Sequence, residues 1–316
     1  MKVAINGFGR IGKLVFRAFL EKQIKHVDIV AINELGSLES SHHLLQFDST
    51  HGKLPFEIKK TKKGLRYNNK NITFFSERNP EMLPWKKLKI DVVLECSGVF
   101  ASREKSYGHI KAGAKKVIIS APAKNADATI VQGVNNNILN KKHEIISNGS
   151  CTTNCLAPVA MILEKNIGIE SGFMTTIHSF TGDQPTIDQT HTDLRRARAA
   201  STAMIPTSTG AAKALSLVLP SLKGKLDGTA IRVPTPNVSL IDFTFTSKKQ
   251  TSVGKMATSD IWTTAVVRRH EPHPGFHGRT PAHVQLAAVP VGLLFQRLFL
   301  WRVGRRFLDK RRGRPS

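Results

Sequence analysis

Cysteine is scarce. The 316 residues carry three, an odd count that cannot build a disulfide framework and fits a reducing cytosol with a thiol free for catalysis. No secretion leader is expected, because Met1 runs straight into the strand-like stretch Val3-Ala4-Ile5. Long apolar runs are missing too. The longest, residues 282–301, is broken by His283, Gln285, Gln296 and Arg297, so it is too polar for a membrane span and at most a basic amphipathic surface helix. There is no internal repeat. Acidic residues are few, 23 against 47 Lys and Arg, for a net charge of +24. Such a charge raises the question of a nucleic acid or anionic membrane partner. The basic residues change kind along the chain, however: residues 1–254 hold 26 Lys and 9 Arg, residues 255–316 hold 2 Lys and 10 Arg. Asparagine, present 15 times before that point, never occurs after it. The chain has a seam there.

What is present is a globular pattern, 40% hydrophobic and 22% charged, enough for one large or two ordinary domains. Short apolar runs at residues 3–6, 27–33, 90–94, 117–120 and 145–146 alternate with helical segments, the first carrying Ile11, Leu14, Val15, Ala18 and Phe19 on one face. That order predicts an α/β fold with a doubly wound, mostly parallel sheet. The Lys-rich residues 59–71 read as a hairpin or solvated edge. Residues 151–165 and 211–219 read as helices, and residues 174–179, 229–233 and 238–246 as strands. Ile241, Phe243 and Phe245 alternate with Asp242, Thr244 and Thr246, the period of a half-buried strand. A second, α+β domain with a mainly antiparallel sheet follows. The expected division is a dinucleotide-binding domain over 1–149, a catalytic domain over 150–253, truncated or replaced at its C-terminal end, and a basic, Arg-rich tail over 254–316.

Gly7-Phe8-Gly9-Arg10-Ile11-Gly12 lies between the first strand and the first helix. Gly7 permits the tight turn, Gly9 lets backbone amides approach a pyrophosphate, and Gly12 lets the helix pack on the strand. Glu34 ends the second strand 22 residues after Gly12, placed to accept from a ribose hydroxyl and to repel a 2′-phosphate, which favours NAD over NADP. Cys151 follows a strand and opens a helix, where free amides and the helix dipole favour a thiolate. His178 in a later strand is the candidate base. Spacing alone leaves open a buried cysteine and an unrelated core histidine. Residues 207–210 precede a helix and could hold a phosphate, with Arg195, Arg196, Arg198 and Arg232 as forked cations or as plain surface charge.

Three longer runs are family-specific. Ser150-Cys151-Thr152-Thr153-Asn154-Cys155 resembles the active-site signature of phosphorylating glyceraldehyde-3-phosphate dehydrogenases. Residues 193–200 with 205–213 resemble that family's specificity and phosphate loops, and residues 232–238 another of its signatures. The resemblance covers residues 1 to about 253. It implies that Cys151 attacks the aldehyde with His178 as base, that NAD accepts the hydride, and that inorganic phosphate releases the acyl group as 1,3-bisphosphoglycerate. It further implies that Thr181 and Arg232 hold the substrate phosphate. Ser150, Thr152, Thr209 and Gly210 would hold the attacking phosphate, and Arg196 falls at a further phosphate position. Cofactor contacts would come from Gly7, Gly9, Arg10, Ile11, Gly12, Glu34, Arg78, Ser97, Gly98 and Ser120. A cytoplasmic homotetramer in glycolysis, with the residue 195–200 loop at its interfaces and no metal, completes what the family implies.

The chain departs from the pattern at several points. Glu34 stands where Asp is usual, as in the related erythrose-4-phosphate dehydrogenases, and Ser102-Arg103-Glu104 shares that flavour; residues 207–210 match the glyceraldehyde type. Thr190 stands where many NAD-specific members have Pro. No further sheet strands and no C-terminal helix of the family can be found in residues 255–316, so a chain that folds poorly or turns over slowly is expected. The alternatives are an erythrose-4-phosphate dehydrogenase and an inactive chain whose tail binds nucleic acid or a membrane surface. The tail's twelve basic and three acidic residues motivate the second. Tail binding of that kind is not expected; a frameshift or fusion accounts for the composition more simply.

Overall fold

The computed structural model describes residues 1–251, 265–269 and 281–288, the last two as backbone strands only. The described residues group into two compact units: Met1–Gln132 with Asn136–Gly149, and Gly133–Asn135 with the residues from Ser150 onward.

The first unit is a nine-stranded sheet. Its parallel part comprises β1 (Lys2–Asn6), β2 (Asp28–Asn33), β7 (Lys70–Phe75), β8 (Val92–Glu95), β9 (Lys116–Ile119), β10 (Ala128–Thr129) and β11 (Ile145–Ser147). The antiparallel hairpin β5 (Lys59–Thr61) and β6 (Gly64–Tyr67) continues it beyond β7, so the Lys-rich stretch forms the expected hairpin edge. A separate ribbon pairs β3 (Phe47–Asp48) with β4 (Gly52–Lys53). The spatial order is β10-β11-β9-β8-β1-β2-β7-β6-β5. The strand order therefore reverses between β1 and β8, and a crevice opens at the carboxyl ends of strands at such a switch point.

Both faces of this sheet are covered, which is why its strands read as nearly continuous apolar runs. Val3, Ile5, Val92 and Leu94 pack on one face with Val15, Phe16 and Leu20 of α1 (Arg10–Glu21) and Leu45 of α2 (Leu38–Gln46). Ala4, Val93, Val117 and Ile119 pack on the other with Trp85 of α3 (Trp85–Leu88) and, partly buried, Ile110 of α4 (Arg103–Lys111).

The second unit centres on α5 (Cys151–Asn166) and a sheet of order β13-β14-β12-β15-β17-β16. Its members are β12 (Ile169–Ser179), β13 (Ile205–Ser208), β14 (Leu226–Val233), β15 (Ser239–Ser247), β16 (Ala265–Arg269) and β17 (Pro281–Ala288). Every pair is antiparallel except β12 with β14, which sets His178 beside Arg232 in register. On β15, Ile241, Phe243 and Phe245 are buried, as their alternation requires.

Two expectations need correction. The helix read over residues 211–219 is α6 (Ala211–Ala214) followed by a 3-10 turn, Leu215–Leu217. Pro220 sets the far limit of the segment, since Leu219 before it is pushed out of the α region, but the change to 3-10 at Leu215 comes earlier and has no evident cause. Nor does the sheet end at β15: β17 pairs with it along Ser239–Thr246, and β16 pairs with β17. Residues 281–288 are a strand, where the sequence from 282 on allowed at most an amphipathic helix, because an open sheet edge offers unpaired N–H and C=O groups to any segment able to extend. The rest of the Arg-rich tail lies outside the described residues. No helix among the described residues is long and apolar enough to cross a membrane.

Candidate active site

The glycine turn is built by exclusion. Gly7 has φ +85°, and a Cβ there would fall 2.5 Å from the backbone N and Cα of Ser97. A Cβ on Gly12 would fall 2.2 Å from the Gly7 carbonyl oxygen, so helix and turn touch only because both are glycine. Gly9 is different. A Cβ there meets nothing within 4 Å, leaving an open cradle over the first turn of α1, whose amides have no carbonyl of their own helix to bind. Gly7→Ala is therefore expected to cost about 2 kcal/mol of stability or more, through strain and clash together. Urea unfolding of Gly7→Ala beside Gly9→Ala checks it, and equal losses in the two would count against the reading.

The Glu34 carboxylate accepts from the amides of Phe8 (2.6 Å) and Gly36 (2.9 Å), which fixes it at the lip of this cradle with lone pairs to spare. Lys13, unremarked in the sequence, lies near it: burial lowers the Lys13 pKa, and Glu34 opposes that shift. The Arg10 side chain turns away to Asp48 (2.5 Å). Burial alone would raise the Asp48 carboxyl, but Arg10 and the amides of His51 and Thr50 hold it down at about 2. Ile11 packs partly buried against the core, and Ser97, Gly98 and Arg78 are exposed just past β8 and β7. The Ser120 amide donates to the Glu95 carbonyl (2.9 Å) at the end of β9. All ten cofactor candidates thus sit in the first unit.

In the second unit, α5 begins at Cys151 because the Ser150 hydroxyl caps it, accepting from the Thr153 amide (2.9 Å). The Cys151 Sγ lies 3.2 Å from His178 Nε2. His178 Nδ1 lies 2.7 Å from the Ser179 carbonyl. A carbonyl only accepts, so Nδ1 carries a proton and Nε2 is the ring atom that faces the sulfur. Burial would raise the Cys151 thiol, but the bond to His178, its charge and the Thr152 hydroxyl and amide outweigh it, and the thiol is held below its ordinary value. The other thiols go the opposite way. Burial and the neighbouring Cys151 push Cys155 up to about 12, and burial pushes Cys96 far up. One sulfur of three is poised as a nucleophile.

Cations surround it. Arg232 donates to the Ser179 carbonyl (3.1 Å) and the Thr181 hydroxyl (3.2 Å), and its Nε is buried without a partner. Burial and the nearby Arg196 charge disfavour the Arg232 cation, while Cys151 and Asp183 favour it. Two guanidinium groups that repel each other beside an unpaired donor make a receptor for an anion. Arg196 is held by Asp183 (2.8 Å), the Thr207 hydroxyl (3.0 Å) and the Ser208 carbonyl (3.3 Å). The Thr153 hydroxyl donates to the Ala211 carbonyl (3.3 Å), joining the start of α5 to that of α6 and bringing Thr209 and Gly210 toward Ser150 and Thr152. Arg198 does not join the cluster: it pairs with Asp188 (2.6 Å) at the surface, and Arg195 is also exposed.

Residues 1–103 match the family model for the glyceraldehyde 3-phosphate dehydrogenase NAD binding domain, and residues 150–261 that for its C-terminal domain. The glyceraldehyde-3-phosphate dehydrogenase of Xanthobacter flavus is 57% identical over 252 residues, 80% of this chain and 75% of that protein. The Zymomonas mobilis protein of the same name is 54% identical over 253 residues, again 80% and 75%. Glyceraldehyde-3-phosphate dehydrogenase 2 of Bacillus subtilis is 55% identical over 244 residues, 77% and 71%. The chain belongs to the glyceraldehyde 3-phosphate dehydrogenase family.

Members of this family use NAD, and the first unit fits it: the open cradle at Gly9, the uncapped start of α1 and the acceptor at Glu34 suit a pyrophosphate and a ribose. This glyceraldehyde 3-phosphate dehydrogenase chain is accordingly an NAD-dependent oxidoreductase. The sequence reading missed the groups that hold the site residues in place, namely Asp183 on Arg196, Ser179 on His178, and a buried carboxylate at Glu95. Only Glu95 carried a signal, an acid ending an otherwise apolar buried strand.

Proposed function

We propose that the chain oxidises D-glyceraldehyde 3-phosphate and traps the acyl group with inorganic phosphate, giving 1,3-bisphosphoglycerate in glycolysis. The observation that carries this reading is the 3.2 Å approach of His178 Nε2 to the Cys151 sulfur, with Nδ1 pinned by the Ser179 carbonyl. The thiol proton passes to Nε2, and the thiolate, favoured by the start of α5, adds to the aldehyde carbon to form a thiohemiacetal. His178 returns that proton to the aldehyde oxygen as it becomes the thiohemiacetal hydroxyl and, with Nε2 free again, takes it back as the carbon is oxidised to a thioester. NAD, when bound along Gly7, Gly9, Arg10, Ile11, Gly12, Glu34, Arg78, Ser97, Gly98 and Ser120, supplies the hydride acceptor. A phosphate oxygen attacks the thioester carbonyl, the carbon–sulfur bond breaks, and the Cys151 thiolate is restored. Arg232 and Thr181 hold the substrate phosphate, and Ser150, Thr152, Thr209 and Gly210 the attacking one, with Arg196 as a further cation between them.

The same reading places residues 1–149 as the cofactor domain, 150–253 as the catalytic domain and 254–316 as a tail without a binding role. It makes the protein a cytoplasmic homotetramer. The expectation of poor folding rested on β15 being an unpaired sheet edge, and the pairing of β17 along β15, with β16 beyond it, counts against that premise. Mixing the full chain with NAD, phosphate and glyceraldehyde 3-phosphate is expected to form NADH, faster than with erythrose 4-phosphate. Absence of NADH with either aldehyde would remove the dehydrogenase reading; the reverse order of rates would reassign the substrate.

A further inference from the structure

The first unit buries a carboxylate that the chemistry above does not use. Glu95 ends β8 at the switch point and is 1% exposed. Four donors converge on it. Its Oε1 accepts from the amide (2.7 Å) and hydroxyl (2.5 Å) of Ser97, and its Oε2 from Asn6 Nδ2 (2.6 Å) and His109 Nε2 (3.0 Å). The indole N–H of Trp85 donates to His109 Nδ1 (3.0 Å), so the imidazole proton sits on Nε2 and that ring atom donates. Burying a carboxylate is costly unless its lone pairs are met, and here four donors meet them.

Tracing the bonds outward shows what they connect. Asn6 Oδ1 accepts from Asn33 Nδ2 (2.7 Å), and Asn33 binds both the amide (2.9 Å) and the carbonyl (2.8 Å) of Glu77. The Ser97 hydroxyl accepts in turn from the Val99 amide (3.1 Å). Each terminus is or adjoins a cofactor candidate: Asn6 precedes Gly7, Asn33 precedes Glu34, Glu77 precedes Arg78, and Ser97 is one itself, just before Gly98. Four separate chain segments that converge on one groove are tied to one carboxylate.

We propose that Glu95 is a positioning residue for NAD, locking the ends of β1, β2, β7 and β8 into a single preorganised rim. The inference rests on the dehydrogenase reading of that groove. A glutamine at 95 keeps the shape but offers one oxygen, and its NH₂ must face two donors whichever way it turns. The rim then pays its ordering cost on binding, so NAD affinity falls.

The test is direct titration of the full-length protein with NAD, followed by intrinsic fluorescence, with kinetics and melting alongside. Glu95→Gln is expected to raise the NAD dissociation constant about tenfold or more, and to raise KM for NAD by a larger factor than it lowers kcat. His109→Gln, which breaks only the arm into the Trp85 core, is expected to lower the melting temperature with the NAD dissociation constant within about twofold. Should Glu95→Gln fail to fold, Asn6→Ala removes one arm and is expected to weaken NAD several-fold. Unchanged NAD affinity in a folded Glu95→Gln, or a lowered melting temperature as its only effect, overturns the positioning role. No NAD binding by the unsubstituted protein overturns the dehydrogenase reading instead.

Discussion

Cys151→Ser is expected to lower kcat by about 10⁴-fold or more, the scale on which loss of a covalent nucleophile is felt, while the fold persists. Oxygen replaces sulfur with little change of volume at a half-buried site, so packing around α5 is kept. A hydroxyl, however, is far more reluctant to ionise than a thiol, and the start of a helix with one imidazole cannot close that gap. Steady-state NADH formation on a variant with an unchanged melting curve measures the effect. A rate within tenfold of the unsubstituted enzyme would end the covalent route.

His178→Asn is expected to lower kcat by about 10²–10⁴-fold, the usual contribution of a general base. It also has a signature in pH. The Cys151 thiol is held below its ordinary value against the pull of burial, with His178 as the largest opposing influence. Removing the imidazole takes away the largest influence that opposes burial, so the thiol rises. The thiolate exists above the thiol's pKa, so the acid limb of kcat/KM moves to higher pH and activity at neutral pH is lost first. The rate of Cys151 alkylation against pH reads the same shift without needing turnover. A limb that stays in place would show that His178 does not control the sulfur.

The parts of the site that the sequence displays are those set by local rules. Gly7 and Gly12 are forced by contacts that any Cβ would violate, and such glycines stand out beside a strand and a helix. Cys151 opens a helix because Ser150 caps it, again a local signal. His178 was recoverable only through its family context, since nothing in residues 174–179 announces that β12 will lie under α5. The counter-charges were invisible for the same reason. Asp183 reaches Arg196 across thirteen residues of loop, and Glu95 meets Asn6 across 89. Strand order decides such meetings, and periodicity does not encode strand order.

Element boundaries show the other limit. β12 runs Ile169–Ser179, five residues longer at its start than the apolar run at 174–179, because pairing with β15 carries polar residues into the ladder. The polar interruptions within residues 282–301 left at most an amphipathic helix as the ordered form, yet Pro281–Ala288 lies along β15. Backbone pairing at an open edge outweighed a weak periodicity.

The parallel pairing of β12 with β14 carries a last consequence, for heredity rather than chemistry. His178 lies opposite Arg232 and Ser179 opposite Val233, so the imidazole and the guanidinium share one face by virtue of matched spacing. Insertion or deletion of a single codon in either strand would swing every later side chain to the reverse face and part the two groups. Over these stretches a lineage is free to exchange letters but not to alter the count.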